Sequence, residues 1–446
     1  MRLNVLDIEN FRGFEHRAFN FHPQFNLIIG ENAAGKTTVL EAAAVAISSW
    51  LVGFQGGEAR NIRDGDVRYV VDSVETRIRH LPQYPVAISA VRQVGDFDEP
   101  VTEHIRWRRE LSGPKRKTTQ GDLAHLKAVA HRYEADLVSG ARPTLPVIRY
   151  FSAGRLWETG RPTSKSKQFD TGYLDPVDDW LQNLRSPLFG YQNSMDRGNS
   201  SKNLLRWLVE ERRIEIDEER ESSHLRAIYE AICSMIPELE SVSVNIRLRD
   251  LLLRYRDGKS VAFSDLSDGY RNAVAMVADL TIRMVTLNPH FAALAAQRTP
   301  GVVLIDELDL HLHPKWQRRV VEDLRRTFPR VQFICTTHSP FIVQSLRSGE
   351  ELTVLDGQAT FDVANMTIRE VAQGLMGVDE SDTSRRYGDM KDTARGLLEE
   401  LEEKKPLAGE ALAEFERKLA EATGPYADNP AYQAFLEMKL AFGTDE

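Results

Sequence analysis

The stretch FNLIIGENAAGKTTVLEAAAVAI, Phe25 to Ile47, passes from an apolar run through a glycine loop into a helix-forming segment. Its loop, Gly30 to Thr38, matches G-x-x-x-x-G-K-[ST]. Glycines let backbone wrap a phosphate, so loop N–H groups and the N-terminus of the next helix present positive potential. In this pattern Gly30, Glu31, Asn32, Ala33, Ala34, Gly35, Lys36, Thr37 and Thr38 surround the phosphates. Lys36 reaches the β- and γ-phosphates, and Thr37 offers its hydroxyl to Mg2+. The segment 36–53 is apolar on nearly every face, which predicts a helix buried on all sides. Strand, loop and helix in this order point to an α/β nucleotide-binding fold.

The rest of the chain is consistent with that class. At 446 residues it exceeds the usual single core, so more than one lobe is expected. No apolar run of 18 residues occurs, and the first residues lack the order of a signal peptide. With Cys233 and Cys335 its only cysteines, a disulfide framework is not expected, and a reducing cytoplasm is the natural setting. The net charge of −9 is uneven: residues 379–446 hold 17 acids against 9 Lys and Arg. The acidity belongs to the tail, and whole-chain charge gives no argument for nucleic-acid binding.

Four regions follow from the patterning. Residues 1–155 carry short alternating strands around the glycine loop, with a buried strand at TLPVIRYFS. Residues 156–235 read as a mostly helical insertion interrupted by Gly, Ser, Asn and Asp, with Trp180 and Trp207 on its helical pieces. Residues 236–360 alternate strands with helices at 269–287 and 314–327, the pattern of a largely parallel sheet. Residues 361–446 form an acidic helical tail. No heptad run is long enough for a coiled-coil arm.

A bound nucleotide with Mg2+ needs a carboxylate on a neighbouring strand and a group that positions the attacking water. VVLIDE supplies both at a strand's carboxyl end: Asp306 for the metal, Glu307 for the water. A second apolar strand, VQFICTTHSP, ends in His338, whose imidazole can donate to the transferring oxygens. A lone histidine at a strand end is more often a capped or surface residue, but beside a phosphate loop and an acid pair the γ-phosphate-sensing role is favoured. FSDLSDGYRNAVAM offers a serine, a glycine and a helix N-terminus, which are anion-binding features and also those of a simple capped helix.

These motifs, in this order, resemble the ABC-type ATPase heads of the SMC/RecF/OLD group. The resemblance covers residues 1–55 and 260–345, and more weakly 140–155. It implies an α/β head with a mixed sheet and an antiparallel subdomain, here with a helical insertion and a helical C-terminal tail. It also implies ATP and Mg2+ as ligands and heads that pair around nucleotide. Arg12 of IENFRGF would then approach the nucleotide. Ser267, Asp268, Gly269 and Tyr270 would form a signature facing ATP across the dimer, with Asp309, His311 and His313 in the D-loop of the same interface. Asp268 stands where the group's signature has its first glycine. No convincing glutamine follows the strand at 147–151; Gln168 and Gln192 are the candidates. More closely, VIRYFSAGRLW, LSDGYRNAV, DELDLHLHPKWQ and FICTTHSPFIVQSL resemble compact bacterial anti-phage ATPases, the PtuA type of Septu and some retrons. Those act beside a separate nuclease, which implies an effector partner, such as an HNH enzyme.

Three alternatives stay open. A metal-dependent nuclease within the chain would need a strand-borne D-x-D after Phe341–Ile342–Val343; VDESD lies in polar, helix-prone sequence, so none is expected. A RecF-like DNA-binding repair ATPase would use the basic run RWRRELSGPKRK. There Arg106, Arg108, Arg109, Lys115, Arg116 and Lys117 surround Trp107, which could stack a base. A scaffold binding ATP without turnover is the third. Zinc at His311 and His313 lacks two further ligands.

Overall fold

In the computed structural model of the chain, the described residues are 1–55, 57, 59–74, 77–94, 103–154, 186–195, 201–356, 363, 366–378, 385–403, 414, 417–418 and 420–421. Met1–Ile368 form one compact unit and Arg369–Glu446 a second. Of the expected insertion, Trp180 and Gln168 lie outside the described residues.

Among the described residues, the first unit is built on three sheets and a hairpin. Strands β1 (Arg2–Phe11), β2 (Phe14–Asn20), β6 (Val86–Val94) and β7 (Glu103–Leu111) form an antiparallel sheet in the order β2-β1-β6-β7. Strands β4 (Tyr69–Val74) and β5 (Arg77–Pro82) pair as a separate ribbon. The central sheet contains β3 (Phe25–Ile29), β8 (Val147–Phe151), β12 (Gly301–Ile305), β13 (Val331–Thr336) and β14 (Leu352–Val354). Its order is β14-β3-β13-β12-β8, and every pair is parallel. Every residue of β3, β8, β12 and β13 is buried, which is why these strands read as continuous apolar runs rather than alternating ones. The third sheet is antiparallel, β11-β10-β9, from β9 (Leu239–Asn245), β10 (Asp250–Tyr255) and β11 (Ser260–Ala262).

Helix α1 (Lys36–Ser48) lies between the two large sheets, packed on β12, β13 and β8 from one side and on β1, β6 and β7 from the other. A helix with sheet on both sides has no solvent face, so its sequence carries no polar stripe. Helix α2 (Ala124–Val138) packs against the turn that continues α1, at Ser49–Gly53. Helices α3 (Ser201–Asp217) and α4 (Ser223–Met235) follow. Ser222 starts α4 by accepting from the Leu225 N–H. Helix α5 (Asp268–Leu287) packs on α4 and on β8.

The helix expected at 314–327 is two pieces, Pro314–Gln317 and α6 (Val320–Thr327). The break falls at Arg319, whose backbone leaves the helical region and whose guanidinium is held by both carboxylate oxygens of Glu238 at 2.7 Å. In the second unit, α7 (Arg385–Glu403) realises the charged helix expected in the tail. Among the described residues no helix is long and apolar enough to cross a membrane.

Candidate functional site

Strand β3 delivers the chain into the loop Gly30–Gly35, and α1 begins at Lys36. Gly35 has φ 100, and a Cβ there would lie 2.8 Å from Phe14 Cζ, so both backbone and space demand glycine. Ala33 is also left-handed, with φ 69. Glu31, Asn32, Ala33 and Thr37 are exposed, Ala34, Gly35 and Thr38 half-buried, and Lys36 is 8% exposed. Lys36 Nζ donates to the carbonyls of Gly30 at 2.8 Å and Glu31 at 2.9 Å. Burial pushes its ammonium below the usual lysine range, against the attraction of Asp356, Asp306, Glu307 and Asp309.

Strand β12 ends at Ile305, and the Asp306 N–H still donates to Phe151 O at 2.8 Å, extending the ladder by one residue. Asp306 is 2% exposed. Thr37 Oγ1 lies 3.0 Å and 3.2 Å from its two carboxylate oxygens, and Thr336 Oγ1 donates to Oδ1 at 2.6 Å. The same Thr336 hydroxyl accepts from the Glu307 N–H at 2.8 Å. Glu307 is half-buried and holds φ 51, a left-handed conformation that costs a non-glycine residue about 1–2 kcal/mol. A hydroxyl and a carboxylate brought together beside a lysine form an oxygen-rich donor set of the kind a hard divalent cation takes.

Past Glu307 the chain turns back on itself. Asp309 Oδ1 accepts from Thr337 Oγ1 at 2.5 Å and from the His338 N–H at 3.2 Å, which fixes the end of β13. The His338 ring is exposed. Ser339 Oγ donates to Gln317 at 2.7 Å, tying the same segment to the helical turn that begins at Pro314. Lys36, Thr37, Asp306, Glu307, Asp309 and His338 therefore share one end of the central sheet.

The signature residues form a second group around the N-terminus of α5. Ser267 occupies the N-cap position without a side-chain capping bond, and it is exposed, as is Asp268, which pairs with Arg271 at 3.3 Å. Gly269 faces inward: a Cβ there would collide with the carbonyl oxygen of His311 in the same chain. Tyr270 packs its ring on Trp316, centroids 4.2 Å apart. His313 is exposed and caps the turn Pro314–Gln317, its Nδ1 accepting from the Lys315 N–H at 3.2 Å. His311 is exposed with φ 60. Among the described residues no group of three or more His, Cys, Asp or Glu is arranged as a metal cage.

Arg12 Nε donates to Asp66 Oδ1 at 2.8 Å and lies 3.8 Å from Glu41 of α1, so its charge is met by carboxylates. Gln192 is exposed and its carbonyl accepts from Arg283, beside the middle of β8 rather than its carboxyl end. The basic run around Trp107 is corrected by the structure. Trp107 is 1% exposed, with its indole N–H on Ala46 O, and Arg109 is fully buried on Thr119, Ser49 and Asn61. Arg108 is paired with Glu9 and Glu110. A base cannot stack on that indole, and of the cations there only Arg106, Lys115, Arg116 and Lys117 remain exposed. The reason is the period of a strand: Ile105, Trp107 and Arg109 share the inward face of β7.

Sequence reasoning missed three contributors: Thr336, which links Asp306 to Glu307; Phe14, which seats Gly35; and Asp356. Glu31 N donates to Asp356 Oδ2 at 2.6 Å, across 325 positions of sequence. Only Phe14 had a local signal, its place in FRGF.

A family model described as "AAA domain" matches residues 6–240, and a second, "AAA domain, putative AbiEii toxin, Type IV TA system", matches residues 181–344. The chain is similar to the "Retron Vc95 probable ATPase" of Vibrio cholerae serotype O1 biovar El Tor, 22% identical over 80% of this chain and 74% of that protein. It is 36% identical to the "Septu protein PtuA" of Bacillus mycoides (strain KBAB4), over 30% of this chain and 18% of that protein. The solved SMC head domain from Thermotoga maritima superposes with TM-score 0.41 at 14% identity, covering 79% of this chain and 94% of that one.

Proposed function

Because the chain belongs to the AAA domain family, we propose that it binds ATP with Mg2+ and hydrolyses it, two heads pairing around the nucleotide. We place it as the sensing and regulatory subunit of an anti-phage defence complex whose nuclease is a separate chain. The observation that carries the ATPase reading is the meeting of Thr37 Oγ1 and Asp306 at 3.0 Å, from elements 269 residues apart. Mg2+, when bound with ATP, would neutralise charge on the phosphates, and Thr37 and Asp306 are the residues that would hold it. Lys36 would leave its loop carbonyls for the phosphate oxygens. Glu307, presented by the left-handed turn, would orient water, and His338 would donate to the γ-phosphate oxygens.

The exposed hydroxyl of Ser267, not spent on its own helix, is the group left to reach a second head's nucleotide. Gly269 would act by letting the D-loop pack against α5. Similarity to the retron and Septu proteins supports the defence setting, and the acidic helical tail is the surface we assign to the effector. Glu307→Gln tests the core of this reading. It is expected to abolish phosphate release and to accumulate an ATP-bound dimer on size-exclusion chromatography with light scattering. Full turnover by that variant would refute it.

A further inference from the structure

The two ends of the phosphate loop are gripped from outside it. At the far end, the Phe14 ring closes on Gly35. At the near end stands Asp356, the second residue after β14. Its place is well determined: the Leu355 N–H donates to Ile29 O at 2.9 Å, and Arg17 of β2 donates to Leu355 O at 2.8 Å and Val354 O at 3.2 Å. Arg17 is itself stacked over Phe14 and Phe19. One hairpin, β1–β2, thus supports both grips.

The peptide between Gly30 and Glu31 is held on both sides. Its N–H donates to Asp356 Oδ2 at 2.6 Å, and its carbonyl, Gly30 O, receives Lys36 Nζ at 2.8 Å. The carboxylate comes so close that a Cβ on Gly30 would lie 2.8 Å from Asp356 Oδ2. Resting on the ATP-binding reading, we propose that Asp356 is a positioning residue that restrains nucleotide binding. It fixes the Gly30–Glu31 peptide with its carbonyl toward Lys36, and so keeps the lysine on the loop until a polyphosphate draws it away. Nucleotide phosphates and Asp356 are also like charges at the mouth of one loop. Both effects act in the same direction, against binding.

The test uses the full chain and fluorescent N-methylanthraniloyl derivatives of ATP, ADP and AMP, titrated in EDTA and again with Mg2+. Asp356→Asn removes the charge and keeps an acceptor for the Glu31 N–H; Asp356→Ala removes both. Without Mg2+, Asp356→Asn is expected to tighten ATP binding about threefold to fivefold, the range of a single exposed charge contact. Asp356→Ala should tighten it at least as much. AMP, which has no β- or γ-phosphate for Lys36 and carries the fewest charges near Asp356, should tighten less than ATP on each variant. A loop merely preorganised by Asp356 would behave oppositely. Equal or weaker ATP binding by both variants, at an unchanged thermal midpoint, overturns the inference and leaves the proposed function standing. A wild-type chain that binds no ATP overturns the proposed function, and the inference with it.

Discussion

The Thr336 hydroxyl donates to Asp306 Oδ1 at 2.6 Å while accepting from the Glu307 N–H at 2.8 Å. One side chain on β13 therefore sets the carboxylate assigned to the metal and the backbone of the residue assigned to water. Thr336→Val keeps the shape and takes this hydroxyl away from the Glu307 N–H and from buried Asp306 Oδ1, which keeps Thr37 Oγ1 at 3.2 Å. It is expected to destabilise the fold by about 1–3 kcal/mol and to lower kcat at least tenfold, with Thr336→Ser restoring both. Urea midpoints and steady-state phosphate release measure the two effects.

The left-handed backbone of Glu307 separates stability from activity. Glu307→Gly removes the strain with the carboxylate, so unfolding free energy should rise by about 1 kcal/mol while hydrolysis is lost. A less stable glycine variant would mean that the turn is not strained.

Gly269 and Ser267 are two positions apart, but substitution should give different outcomes. Gly269→Ala forces a methyl onto the His311 carbonyl oxygen and should destabilise the isolated head by about 1–3 kcal/mol, nucleotide or not. Ser267→Arg, at an exposed N-cap without a capping bond, should leave the urea midpoint alone and block ATP-dependent dimerisation. Dimerisation that survives Ser267→Arg would remove the signature from the interface.

A pH dependence comes from Asp279 on α5. Burial works to raise its pKa, but Arg149 and Arg283, at 2.9 Å and 3.0 Å, prevail and hold it below the ordinary 3.8. A carboxyl depressed on folding stabilises fully above its unfolded pKa, and that stabilisation is lost as pH falls through the folded one. The gap in urea midpoint between wild type and Asp279→Asn should therefore be constant above about pH 5 and close as pH drops below about 4. A gap independent of pH would show that packing, not charge, sets the Asp279 contribution.

What was legible in the sequence was local or periodic. The loop Gly30–Thr38 announces itself within nine residues, and β12 and β13 are short apolar runs ending in polar groups. The burial of α1 was visible because no face is polar. What was not legible depends on contacts that folding alone creates. Nothing near Asp356 hints that it will meet Glu31, and nothing in DLHLHP shows that His311 will press its carbonyl on Gly269. Trp107 was misread because the density of nearby cations concealed the two-residue period, which turns Trp107 and even Arg109 inward. Arg12 is assigned to nucleotide by resemblance alone, and its bond to Asp66, 54 positions on, could not be read from the sequence.

Helix α1 carries the phosphate loop at its first turn and has sheet on both sides. An element clamped in this way is the slowest to exchange its amides and the least able to slide. On the ATP-binding proposal, a signal arising at the γ-phosphate has a fixed anvil on one side. On the same proposal, displacement is expected opposite it, in the turn from Glu307 to His313, which is tied to the end of β13 through the hydroxyls of Thr336 and Thr337. Amide exchange that quickens with nucleotide in 307–313 and stays slow in α1 would be the mark of that division.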